Sequence, residues 1–166
     1  ANLLYIMALR AAGKLYNVDT YQREAAALTE SIPALAFGER FFVDNFVRKD
    51  GELVPTSNHS EICQYLAFAS DVVSPESYPW LWQTMLDIDQ APVPELHGRN
   101  MLFGECIRLE LLSRYGLQEQ LLREIEEKFY PMAVRTGTLW ENFSEATSCN
   151  HGFTAYIAYL LWQHLS

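Results

Sequence analysis

The chain has 166 residues, 49% of them hydrophobic and 13% aromatic, which is enough for one domain with a sizeable core and too apolar for a disordered segment. Arg10, Glu30, Glu39 and Arg108 interrupt every apolar run, so none approaches the ~18 residues of a membrane span. With 12 Lys plus Arg against 21 Asp plus Glu, the net charge is −9; this argues against nucleic acid or an anionic membrane as a partner and suits a neutral ligand.

The first element, residues 2–16, is apolar nearly all round. It starts at once, from Ala1-Asn2-Leu3-Leu4-Tyr5, with no initiator Met and barely a capping residue. The segment is therefore expected to be the C-terminal part of a longer polypeptide. Residues 19–42 follow as a one-sided helix after the short turn Asn17-Val18. Residues 59–70 are again apolar nearly all round, 76–88 one-sided, and 97–115 apolar nearly all round, as in Leu102, Phe103, Cys106, Ile107, Leu109, Leu111 and Leu112. In residues 117–131, Leu117, Leu121, Leu122, Ile125 and Phe129 form a stripe opposite Glu119, Arg123, Glu126 and Glu127. Residues 150–165 close the chain as another apolar helix. No alternating strand pattern stands out, so the expectation is all-helical.

Helices apolar all round are buried, and one-sided helices cover a core. The two kinds alternate, which predicts two layers of helices, and hence part of an α/α barrel. About seven helices are too few to close a ring of about twelve, so the rest is expected upstream. Inner-to-outer turns are short, with Gly116 suited to a helix C-cap. The outer-to-inner connections, about 44–58, 89–96 and 132–149, are long. Antiparallel succession sends all three to one end, where function usually sits. Cys63 and Cys106 lie within apolar helical runs and read as buried free thiols.

The long loops carry the candidate chemistry. Trp140, Glu141, Glu145, Asn150 and His151 crowd into one segment between two apolar helices. An indole gives a sugar ring a face to stack on, a carboxylate handles a proton, and an amide and imidazole hold hydroxyls. The ordinary alternative for Glu141 is a solvated loop carboxylate; for His151 it is packing beside a cap formed by Ser148 or Asn150. His59 and Glu61 open the helix at 59–70, with Ser57 or Asn58 as the expected cap and Glu61 in a first turn that favours a carboxylate anyway. Glu95 and His97 lie in the neighbouring loop. The four histidines lack metal-ligand spacing, and no phosphate-binding glycine loop occurs, so neither metal nor cofactor is expected.

The pair of motifs T-G-T-L-W-E-N and S-C-N-H-G-F resembles the end of the catalytic barrel of bacterial alpha-L-rhamnosidases. E-I-C-Q-Y and N-M-L-F-G-E-C-I-R-L-E-L-L-S-R-Y-G are similar to one branch of that family. The resemblance runs from about Phe41 to the end of the chain, and the first 40 residues fit as generic barrel helices. It implies a six-hairpin α/α barrel and inverting hydrolysis of terminal alpha-L-rhamnosyl bonds by two carboxyl groups about 6.5–9.5 Å apart. By the same resemblance Glu141 matches the general base, Trp140 precedes it, His151 looks like a sugar-binding histidine, and Glu61 faces the same site. Asn142 and Phe143 stand where many members have Arg and Trp. The loop from Glu141 to the Asn-His pair is short, and the Asp-Glu-Arg segment that supplies the family's general acid is not in these residues. The resemblance thus implies a chain inactive alone, with a carbohydrate substrate and upstream domains of its own polypeptide as partners. A non-catalytic carbohydrate-binding or scaffold module on the same fold is the alternative class; a polysaccharide lyase-like toroid is another, disfavoured by the scarcity of basic residues.

Overall fold

The computed structural model describes residues 1–99, 101–144 and 148–165; Glu145 lies outside them. The chain divides into two compact units, Ala1–Gly98 and Arg99–Ser166. No helix among the described residues is long and apolar enough to cross a membrane.

The first unit opens with a helical hairpin, α1 (Asn2–Tyr16) and α2 (Asp19–Ala36). Asn17 ends α1 in the left-handed conformation, and the N–H groups of Asn17 and Val18 both donate to the Gly13 carbonyl, which satisfies helix-end acceptors. Leu3, Ile6 and Leu9 of α1 and Ala25 and Ile32 of α2 are buried. Within this unit α2 and α3 pack on α1, while Leu4, Tyr5, Leu15 and Tyr16 are exposed. The helix read as apolar all round is thus buried on one face only here.

Helix α2 stops at Ala36 rather than near residue 42. Pro33 sits in its last turn, and Phe37, already extended, makes the final bond from its N–H to the Pro33 carbonyl at 3.2 Å. The following residues fold back instead: Gly38 N–H donates to the Phe41 carbonyl at 2.9 Å, Phe37 pairs with Phe42, and Val43 N–H donates to the Ala36 carbonyl at 2.9 Å. This turn drives Phe41 and Phe42 into the core.

A second difference lies in the loop expected at 44–58, which contains an antiparallel hairpin, β1 (Phe46–Lys49) and β2 (Glu52–Pro55). Asp50 and Gly51 both have positive φ, 51° and 87°, as a two-residue primed turn requires. All eight strand residues are exposed. Helix α3 (Glu61–Ala69) follows, and Gln64 to Ser70 are buried without a break, as an all-round apolar helix should be. Helix α4 (Pro79–Asp87) starts on a proline whose missing N–H costs nothing in the first turn. It buries Leu81 and Met85 and leaves Trp80 exposed, the one-sided pattern expected of it.

The second unit contains α5 (Met101–Arg114), α6 (Gln118–Lys128), α7 (Tyr130–Thr136), a 3-10 turn (Gly152–Ala155) and α8 (Tyr156–Leu165). Its core is Leu109, Leu111, Leu112, Leu121, Phe129, Met132, Trp140, Ile157 and Leu160. Helix α7 occupies the start of the loop expected at 132–149: Pro131 is in its first turn and Gly137, with φ 73°, closes it. The apolar helix expected from 150 begins as the 3-10 turn.

Between α5 and α6 runs a buried ionic network. Arg108 meets Glu124 through two bonds of 2.7 and 2.6 Å. Arg99 bonds Glu105 at 2.6 Å, and Lys128 bridges Glu105 at 2.6 Å and Glu124 at 3.2 Å. Glu105, Arg108 and Glu124 are each at most 3% exposed. Nothing in the sequence analysis placed charges inside this unit.

Candidate functional site

The segment after α7 is a loop with two limbs tied side by side. Glu141 N–H donates to the Ser148 carbonyl at 2.8 Å and His151 N–H to the Leu139 carbonyl at 3.1 Å. The Thr138 hydroxyl donates to the Cys149 carbonyl across the same gap. These rungs hold Glu141 and the Asn150-His151 pair on one piece of structure, despite the ten-residue span of chain between residues 141 and 151.

Trp140 anchors the loop from within. It is 5% exposed, its indole Nε1 donates to Thr136 Oγ1 at 2.7 Å, and its backbone N–H points at Met132 Sδ at 3.5 Å. Glu141, the next residue, is exposed. Within this unit the indole is therefore the buried support of the loop, with little face open for stacking. It also lines a cavity of about 380 Å³ together with Lys128, Met132, Arg135 and Phe143. Phe143 packs edge-on against Phe129, with ring centroids 5.9 Å apart.

His151 is half-buried and stacked on Phe153, with centroids 5.6 Å apart and an interplanar angle of 15°. It caps the 3-10 turn itself: Phe153 N–H donates to Nδ1 at 3.4 Å. Ser148 and Asn150, the caps expected from the sequence, do not take that position. An Nδ1 that accepts puts the proton of the neutral ring on Nε2. Asn150 is exposed, and its carbonyl accepts from Ser148 Oγ at 3.3 Å.

In the first unit the residues that follow two of the predicted long loops meet. His97 pairs with Ser60 as an isolated bridge; His97 N–H donates to the His59 carbonyl at 2.8 Å and Glu61 N–H to the His97 carbonyl at 2.9 Å. Ser60, not Ser57 or Asn58, caps α3: its Oγ accepts from Cys63 N–H at 3.3 Å and donates to Asp44 Oδ1 at 2.6 Å. Asp44 makes Ser60 the better cap by fixing its hydroxyl and its N–H together. Glu61, half-buried, occupies the first turn as expected. His59 Nδ1 donates to the Phe42 carbonyl at 3.1 Å, so its tautomer is the opposite of that of His151.

Arg40 and Gln64, neither singled out from residue types or spacing, complete this cluster. Arg40 pairs with Glu95 at 2.8 Å and lies over the rings of Phe41 and Trp80, 5.3 and 4.9 Å from their centroids. The charged residue beside two phenylalanines in G-E-R-F-F was a usable signal, lost when residues 19–42 were read as one helix. Gln64, fully buried, accepts from Phe42 N–H at 2.9 Å and donates to the Phe42 carbonyl at 3.0 Å. The cluster borders a cavity of about 660 Å³, within the usual size range of small-molecule sites.

Two cysteines and a tyrosine also have shifted titration. Burial pushes the Cys63 thiol up to about 12 and the Cys106 thiol up to about 11, so neither is a nucleophile near neutral pH. Burial, and then the hydrogen bond to the Glu110 carboxylate, raise the Tyr156 phenol above its ordinary value.

In the course of its backbone the chain is similar to the GH78 family rhamnosidase of Bacillus sp. GL1, with a TM-score of 0.73 and 23% identity. The likeness covers 98% of this chain and 18% of that one, so the chain spans less than a fifth of the protein it matches. No protein-family profile and no curated protein sequence matches it. The likeness establishes the fold: the chain is mostly helical and has the architecture of a portion of an α/α barrel, of the kind found in that glycoside hydrolase.

Proposed function

We propose that this chain forms the general-base side of an inverting glycoside hydrolase that cleaves terminal alpha-L-rhamnosyl bonds. The fold likeness to a rhamnosidase supports it, and one observation carries it: the Trp-Glu and Asn-His motifs lie on a single cross-tied loop that exposes Glu141. In this reading Glu141 takes a proton from the attacking water. The leaving oxygen receives one from a carboxylic acid supplied by polypeptide upstream, and the two carboxyl groups stand far enough apart to admit the water. His151 and Asn150, on the same loop, hold the sugar, and Trp140 shapes the site by supporting that loop from within.

Glu141→Gln in the full-length protein tests the assignment. A general base contributes about 10²–10⁴-fold to rate, so kcat should fall by that order, and azide should restore turnover while yielding the inverted glycosyl azide. Near-normal kcat in Glu141→Gln overturns the role. Proton NMR of the wild-type reaction reads the stereochemistry: the β-anomer of rhamnose should form first. If the α-anomer forms first, inversion is wrong.

A further inference from the structure

We propose that the cavity of the first unit is a binding subsite for a neutral sugar ring, with His59, Arg40 and Glu95 as its polar contacts. Leu35, Phe41 and Pro55 supply apolar lining to this space of about 660 Å³, large enough for a pyranose and part of a second group. Its polar groups differ in kind. The His59 Nδ1 proton is committed to the Phe42 carbonyl, which leaves Nε2 of the neutral ring as an acceptor. Among the described residues no hydrogen bond engages Nε2, and no buried side-chain nitrogen or oxygen is left without a partner; Nε2 is therefore accessible, on a residue that lines the cavity.

Arg40 adds donors and Glu95 adds acceptors. Both are about half exposed, yet neither swings freely. Their ion pair and the stacking of the guanidinium over Phe41 and Trp80 hold them in place. Donor, acceptor and apolar wall together are what a sugar hydroxyl array and its C–H face require. The charge excludes an acidic sugar: Arg40 is neutralised by Glu95, and Glu39 adds a further negative charge to the lining, so a uronate carboxylate meets net repulsion.

The proposal rests on the reading of the protein as a glycosidase of neutral sugars, and it adds to the loop carrying Glu141 a sugar-holding site in the other unit. Calorimetric titration of the full-length protein with L-rhamnose and with glucuronate tests it. In His59→Asn the amide nitrogen replaces Nδ1 as donor to Phe42 and only the Nε2 acceptor is lost. Leu35→Trp fills the cavity from an exposed position.

His59→Asn should weaken L-rhamnose binding about three- to tenfold, the range of one hydrogen bond, with an unchanged melting temperature. Leu35→Trp should weaken it at least as much, and glucuronate should bind more weakly than L-rhamnose. The proposal is overturned if L-rhamnose gives no binding, if both variants bind it like the wild type, or if glucuronate binds more tightly. The two readings fail separately. Normal turnover in Glu141→Gln removes the base while the change at residue 59 stands; an unchanged L-rhamnose affinity removes the subsite alone.

Discussion

Two histidines in this chain are set to opposite tautomers by single backbone groups. The Phe42 carbonyl takes the Nδ1 proton of His59, whereas the Phe153 N–H occupies Nδ1 of His151. A neutral His151 therefore presents Nε2–H as a donor to a sugar oxygen. Replacing it by alanine should lower kcat/KM about tenfold or more, the loss of one well-placed hydrogen bond in the transition state. His151→Gln keeps a donor near Nε2 and should recover part of that loss. Equal kcat/KM for wild type and His151→Ala would remove the histidine from the site. Thr136 works at the same scale through Trp140. Its hydroxyl oxygen is the acceptor for the indole N–H, so Thr136→Val, of nearly the same shape, leaves that N–H without its partner. The expected cost is roughly 1–3 kcal/mol in urea unfolding; an unchanged midpoint would show that the bond does not anchor the loop.

At the scale of elements, the α5–α6 pair is joined by charge as well as by leucines. Burial pushes the Glu124 carboxyl up, but the Arg108 guanidinium, the Lys128 ammonium and Gln120 outweigh it, and its titration lies below the ordinary carboxylate range. A lowered folded value means that stability from this group is complete above the ordinary carboxylate value of about 4.3. It is lost as pH falls through the lowered one. Glu124→Gln removes the carboxylate that the buried Arg108 guanidinium bonds twice and should cost roughly 3–5 kcal/mol near neutral pH. The variant should also show a shallower loss of stability on acidification than the wild type, and parallel acid curves would count against the network as the cause. Replacing Arg108 and Glu124 together by Met and Leu should cost far less, because a buried pair contributes little beyond what its desolvation costs.

The whole molecule has the fold of part of an α/α barrel and spans 18% of the rhamnosidase it is similar to. In the proposed reading the base is here and the acid is supplied upstream. The 166-residue chain by itself should therefore release no product from an aryl alpha-L-rhamnoside, where the full-length protein does. Measurable turnover by this chain alone would place both catalytic groups within it and end the division of labour proposed.

Much of this was legible in the sequence, and the gaps have definite causes. Periodicity over residues 59–70 found a helix buried all round, and the stripe of Leu121 and Ile125 found a one-sided one, because burial repeats with the helical turn. The hairpin at 46–55 was missed although Asp50-Gly51 announces it: each strand is only four exposed residues long, too short for an alternating signal. Residues 132–136 of α7 fall in the expected loop because Pro131, in the helix's first turn, reads as a break, and the short helix leaves Tyr130 and Val134 exposed. At the site, residue types singled out Glu141 and His151. Spacing pointed to Ser57 or Asn58 as the cap of α3; the structure gives that place to Ser60, whose hydroxyl and N–H are both fixed by Asp44 from a distant stretch of chain.

The sequence by itself determined the longer helical segments and which residue types crowd the loops, since both depend on neighbours along the chain. Only tertiary structure decided which nitrogen of each histidine is open, that Trp140 turns inward while Glu141 turns out, and that Arg40 joins Glu95 beside a cavity. Each of these depends on a partner from a distant or oppositely running stretch of backbone, and such pairings leave no periodic trace.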